Sequence, residues 1–90
     1  MAKFEMGQLV ATPSALKAIE EAGTSFFEYI RRHLNGDWGD ICKEDAKENE
    51  FSLKNDLRLM SIYTLSNGVK IWIITEADRS TTTILLPEDY

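Results

Sequence analysis

The string Gly36-Asp37-Trp38-Gly39-Asp40 holds the residue types and spacing best suited to chemistry in this chain: two carboxylates straddle an aromatic ring between two glycines. A tight turn of that kind presents Trp38 as an anchor for a partner, or aims Asp37 and Asp40 at a cation. His33, the only histidine, lies one helical turn earlier and could join the carboxylates. A structural reading competes. Trp38 can plug the core beneath the turn while Asp37 and Asp40 cap backbone N–H groups, Asp40 near the start of the next helix. His33 then interacts with the C-terminal dipole of its own helix.

A second group of reactive types lies at Glu76, Asp78, Arg79 and Ser80, with Arg58 opposite. Such a set could form an acid–base cluster for hydrolysis or phosphate binding. Turn chemistry accounts for it equally well, since Asp78 and Ser80 are ordinary turn residues, Arg79 can pair locally, and the following Thr run is β-branched strand. No nucleophile is identified, so no residue is assigned as catalytic and no metal or cofactor is assigned. Cys42, the single cysteine, has neither a flanking histidine nor a helix start to activate it.

The elements that position these groups follow from periodicity. Gln8-Leu9-Val10-Ala11 reads as a short first strand. Thr12-Pro13 opens a helix running to about Ala22, with Ala15, Leu16, Ile19 and Ala22 on one stripe and Gly23 as its left-handed stop. A second helix, Ser25 to about Leu34, places Phe26, Phe27, Ile30 and Leu34 on its buried face and ends at Asn35-Gly36. A third, about Lys43 to Lys54, is mostly charged, with only Ala46, Phe51 and Leu53 to bury. From Arg58 to Leu86 the period changes to that of an antiparallel meander, with Asn67-Gly68 as a two-residue hairpin turn. The expected class is α+β in a single domain over residues 1–90: a short N-terminal strand, two to three helices, and a three-stranded meander with helices packed on one face.

The two-residue turn pairs Tyr63 with Trp72, Ile62 with Ile73, Ser61 with Ile74 and Met60 with Thr75. The second turn, near Asp78-Arg79, puts Ile84 beside Ile73 and Leu85 beside Trp72. Alternation then sorts Met60, Ile62, Ile71, Ile73, Ile84 and Leu86 onto the face that the first two helices cover. Leu59, Ser61, Tyr63, Trp72, Ile74, Glu76, Thr81, Thr83 and Leu85 fall on the other, which is more apolar than a solvated face should be. Three explanations fit: the third helix or a terminus folds across it, a second copy docks there as a homodimer, or it is a platform for a protein partner. A Tyr63–Trp72 pair would be its aromatic centre.

Composition narrows the function classes. The chain has 90 residues, 43% hydrophobic and 28% charged, with a net charge of −5, which suits an ordinary globular domain and argues against a nucleic-acid partner. Arg31-Arg32-His33 is the densest cationic group, and Asp37 and Asp40 follow it at once. No stretch approaches the roughly 20 apolar residues that span a bilayer, and no secretory leader is read at the N-terminus. One cysteine excludes an intrachain disulfide and fits a reducing cytoplasm.

The segments Gly7-Gln8-Leu9-Val10-Ala11-Thr12-Pro13, Gly36-Asp37-Trp38-Gly39 and Trp72-Ile73-Ile74-Thr75 through Pro87-Glu88-Asp89-Tyr90 resemble a small family of uncharacterised bacterial proteins found on plasmids and other mobile elements. Some of these carry labels such as plasmid-related protein or type I restriction subunit M. The resemblance implies a genomic setting and no activity, and the chain has no Gly-rich βα turn to hold a methyl-donor cofactor. The expected function is that of a small acidic, non-catalytic accessory protein acting through a protein partner. The alternative is a small enzyme: one strand, helices, then a meander is also similar in order to RelE-like ribonuclease toxins, which would place the work on Arg58, Glu76 and Arg79. The acidic balance counts against that, because RNA requires cationic surface.

Overall fold

In the computed structural model, which describes residues 2–90, a four-stranded sheet carries three α-helices. The strands are β1 (Gln8–Ala11), β2 (Leu59–Thr64), β3 (Lys70–Thr75) and β4 (Thr81–Leu85). The helices are α1 (Pro13–Glu21), α2 (Phe26–Leu34) and α3 (Lys43–Asn55), and a short 3-10 turn closes the chain at Pro87–Asp89. The sheet order is β1-β4-β3-β2. The α+β class stands, but the expected three-stranded meander is only part of the sheet, which is four-stranded and mixed because β1 adds to β4 in parallel, and the helices do not share one face, since α3 lies opposite α1 and α2.

Helix boundaries follow the capping chemistry. Thr12 Oγ1 accepts from Ala15 N–H at 3.2 Å, and Pro13 fills the first turn, where a donor is not needed. Ser25 caps α2 through Phe27 N–H. The buried stripes differ from expectation by a fraction of a turn. In α2 it is Tyr29, Ile30 and His33 that are buried while Phe27 is 66% exposed, and in α1 Leu16 turns outward beside buried Ala15, Ala18 and Ile19. In α3 the buried residue is Asn49, and Phe51 is 60% exposed.

The first hairpin is one residue longer than expected. Leu65 pairs with Val69 across a three-residue loop, Gly68 N–H donates to Leu65 O at 2.9 Å, and Gly68 takes the left-handed conformation at φ +85. Only one turn residue, not two, has positive φ, so the loop is a turn closed by a left-handed glycine rather than a two-residue turn. Tyr63 therefore pairs with Ile71, Ile62 with Trp72, Ser61 with Ile73 and Met60 with Ile74. One residue of slip moves all of β2 to the opposite face. Tyr63 joins Ile71, Ile73 and Ile84 in the core beneath α1 and α2, with Leu59 and Ser61 on the same face of the sheet, whereas Met60 and Ile62 lie with Trp72, Ile74 and Leu85 on the side those helices leave. The expected Tyr63–Trp72 pair does not form. The β3–β4 register, Trp72 with Leu85 and Ile73 with Ile84, is as the second turn dictates.

Burial is complete on the first face. Leu59, Ile71, Ile73 and Ile84 are each 0% exposed, and at about 1.5–3 kcal/mol for each such side chain this layer is the main stabilising element.

Candidate functional site

The string 36–40 is a structural fastener. Ile62 N–H donates to Trp38 O at 3.1 Å and Asp40 N–H donates to Ile62 O at 2.7 Å, so residues 38–40 bridge the outer edge of β2 in parallel. Gly39 makes this approach possible: it sits at φ +77, and a Cβ there would collide with Ile62 O and the Tyr63 ring. Trp38 is buried, and its Nε1–H donates to Glu50 of α3 at 2.8 Å. The two carboxylates turn to separate partners. Asp37 takes Arg32 at 2.7 Å, which holds its pKa below the usual carboxylate range, and accepts Gly39 N–H at 3.2 Å. Asp40 accepts from Thr64 Oγ1 at 2.7 Å and does not cap α3, whose N-cap is Cys42. Tyr63 is part of the same fastening. Its hydroxyl donates to Asp37 O at 2.6 Å, burial pushes its pKa up to about 12, and Arg32 lies 4.7 Å over its ring.

His33 is not at a solvated helix end but wholly buried in a chain of hydrogen bonds. Thr82 Oγ1 donates to Met6 O at 2.7 Å; a carbonyl only accepts, so Thr82 must take its other bond from Thr75. Thr75 in turn accepts from His33 Nε2–H at 2.9 Å, leaving Nδ1 to accept from Ser61 Oγ at 2.6 Å. The network thus assigns the neutral Nε2–H tautomer. Desolvation, with a lesser contribution from the Arg79 charge, pushes the His33 pKa down to about 3. A Ser–His contact at this distance is the geometry of an activated nucleophile, but Ser61 is 0% exposed and Nε2 faces a threonine rather than a carboxylate. Its role is to satisfy buried polar groups.

Arg79 is also committed. At φ +61 it closes the β3–β4 turn, and its guanidinium donates to the carbonyls of Leu57 at 2.6 Å, Glu76 at 3.1 Å, Ala77 at 3.2 Å and Ser52 at 3.2 Å. Two of these belong to the C-terminal end of α3 and the link after it, so Arg79 clamps the helix end to the sheet. Asp78 is held by its turn, accepting from Ser80 N–H and Oγ, which lowers its pKa.

The remaining expected residues, Trp72, Glu76 and Arg58, gather on the other face of the sheet. There a groove of about 230 Å³ opens between α3 and the C-terminus. Met60, Ile62 and Ile74 form its apolar floor, Asp45 and Glu48 stand on the α3 side, and Arg58 and Tyr90 form the opposite wall. Tyr90 meets the half-buried Trp72 edge-on at 5.5 Å, and its hydroxyl accepts from Arg58 at 2.9 Å. Glu76 lies 3.8 Å from Arg58 and offsets its charge. Asp89 anchors this wall: it accepts from Thr12 and Ser14 at 2.7 Å each and from Leu86 N–H at 3.0 Å, bonds that lower its pKa. Tyr63, Trp38, Asp37, Asp40, Asp78 and Arg79 take no part in the groove. Residues not singled out from the sequence do: Met60, Ile62, Asp45, Glu48 and Tyr90. The one available signal was Asn49, an amide in the middle of a charged helix, which proves to fix α3 beside the floor.

Among the described residues no cluster of three or more His, Cys, Asp or Glu side chains could hold a metal ion, and no helix is long and apolar enough to cross a membrane. No protein-family model, curated protein or solved structure matches the chain.

Proposed function

We propose that this is a small acidic, non-catalytic accessory protein that binds a protein partner through the groove between α3 and Tyr90. The observation that carries this reading is the apolar floor of Met60, Ile62 and Ile74, left between an acidic wall and an aromatic one. An apolar floor within a polar rim suits an inserted apolar side chain flanked by polar ones, and a half-buried Trp72 beside Tyr90 supplies the aromatic contact common at binding centres. Asp45 and Glu48, on a chain of net charge −5, favour a segment bearing Lys or Arg next to its apolar anchor. A mobile-DNA setting and a cytoplasmic location belong to the same proposal; the former rests on the resemblance of residues 7–13, 36–39 and 72–90. The ribonuclease reading loses support because the Arg79 guanidinium is taken up by four carbonyls.

Selection from a random peptide library tests the proposal. Enriched peptides should share a Leu, Met or Phe flanked by Lys or Arg. They should lose binding to Trp72→Ala and to Asp45→Lys/Glu48→Lys while those variants keep the wild-type circular dichroism. A pool with no shared pattern, or one bound equally by all three proteins, sinks the proposal.

A further inference from the structure

The outer edges of the sheet are finished differently. On β2, Asn49 imitates a backbone strand: its Nδ2 donates to Met60 O at 2.7 Å and its Oδ1 accepts from Met60 N–H at 3.2 Å. Residues 38–40 satisfy Ile62 beside it. That edge has no room for another strand. On β1, Gln8 N–H donates to Ser80 O and Thr12 N–H to Ile84 O, both at 2.9 Å. The even-numbered residues therefore face β4, and Leu9 and Ala11 direct N–H and C=O outward. Among the described residues nothing bonds to these four groups. The strand has no charge, proline or bulge of the kind that normally blunts an open edge.

We propose that β1 pairs antiparallel with β1 of a second copy of this chain, about a twofold axis through Val10. The occupant follows from the arrangement of the four groups. Centring the axis on Val10 makes Leu9 and Ala11 of each copy a hydrogen-bonded pair, so all four outward groups of one strand meet their mates on the other and none is left over. Val10, 38% exposed, meets its own copy in the close, non-hydrogen-bonded position, with Gln8 opposite Thr12. Pairing stops at the next step, where Gly7 would face Pro13, which has no N–H to give. The axis is perpendicular to the sheet, so the result is an eight-stranded sheet with both α3-side faces on the same side. Four hydrogen bonds over a short seam make a weak, concentration-dependent dimer at the low end of interface size.

Cysteine cross-linking together with sedimentation tests this. In a Cys42→Ser background, which removes the exposed native thiol, Val10→Cys places two sulfurs across the axis at a separation a disulfide accepts, whereas Gln8→Cys places them several residues apart. Mild oxidation should link the Val10→Cys protein covalently and leave the Gln8→Cys protein unlinked. The otherwise native protein should show a mass that rises with concentration, and Val10→Lys, which sets like charges face to face, should weaken association about tenfold or more. A monomer at every concentration, equal cross-linking at both positions, or a dimer indifferent to Val10→Lys would overturn the proposal.

Discussion

The two faces of the sheet are built from similar strands and differ in how they are closed. On the face that α1 and α2 cover, Leu59, Tyr63, Ile71, Ile73 and Ile84 are sealed, and the polar residues there, His33, Ser61, Thr75 and Thr82, form one chain of hydrogen bonds that ends on Met6 O. On the α3 side, Ile74 and Leu85 are buried but Met60, Ile62 and Trp72 are only partly covered, by a helix with one buried residue and by the last four residues of the chain. Stability therefore resides on the first face and recognition is proposed for the second. Buried polar groups carry opposite meanings on a closed and an open face: the Ser61–His33 pair is structural because nothing can reach it.

The largest effect expected from breaking this contrast is at Gly39. Gly39→Val forces a side chain into Ile62 O and the Tyr63 ring, and should cost roughly 3 kcal/mol or more, read as a fall in the urea midpoint. Close behind, Ile73→Ala on the sealed face should cost about 3 kcal/mol, and Ile62→Ala on the groove floor about 1 kcal/mol, in the same unfolding experiment. Equal losses at Ile73 and Ile62 would erase the distinction between the faces.

The buried histidine gives a prediction in pH. Its folded pKa of about 3 lies below the unfolded value of 6.5, so the unfolded chain binds the extra proton between them. Stability from this group is complete above pH 6.5 and is lost as pH falls toward 3. Between pH 6.5 and 5.5, above the range in which the carboxylates titrate, the decline should total about 1 kcal/mol. It should vanish in His33→Gln, as followed by denaturant midpoints across the window. The smallest effect is at Tyr90→Phe, which removes one exposed hydroxyl contact to Arg58 and should change stability by about 0.5 kcal/mol or less while weakening peptide binding.

Local chemistry was legible in the sequence, and long-range closure was not. Thr12, Pro13 and Gly23 marked the ends of α1 because capping and left-handed stops depend on one or two residues. The β3–β4 register could be read from its turn for the same reason. The β2–β3 register could not, because Asn67-Gly68 serves a two-residue or a three-residue loop, and the choice reversed the face of Tyr63. The candidate site suffered most from that reversal. Asp37, Asp40 and Arg79 look reactive by type, but each is spent on backbone or neighbouring groups that only the fold brings within reach. The parallel pairing of β1 and the amide of Asn49 against Met60 join residues far apart in the chain, and periodicity carries no record of them.

The most direct measurement is a nitrogen–proton NMR titration of the protein with a library-selected peptide carrying an apolar anchor and a flanking lysine. The two indole N–H signals report on the two settings, Trp38 within the sealed fastening and Trp72 beside the groove. The Trp72 indole and the amides of Met60, Ile62 and Glu48 should move with added peptide while the Trp38 indole and the Tyr63 amide stay in place. Movement centred on Trp38 and Tyr63, with Trp72 unmoved, would contradict binding in the groove.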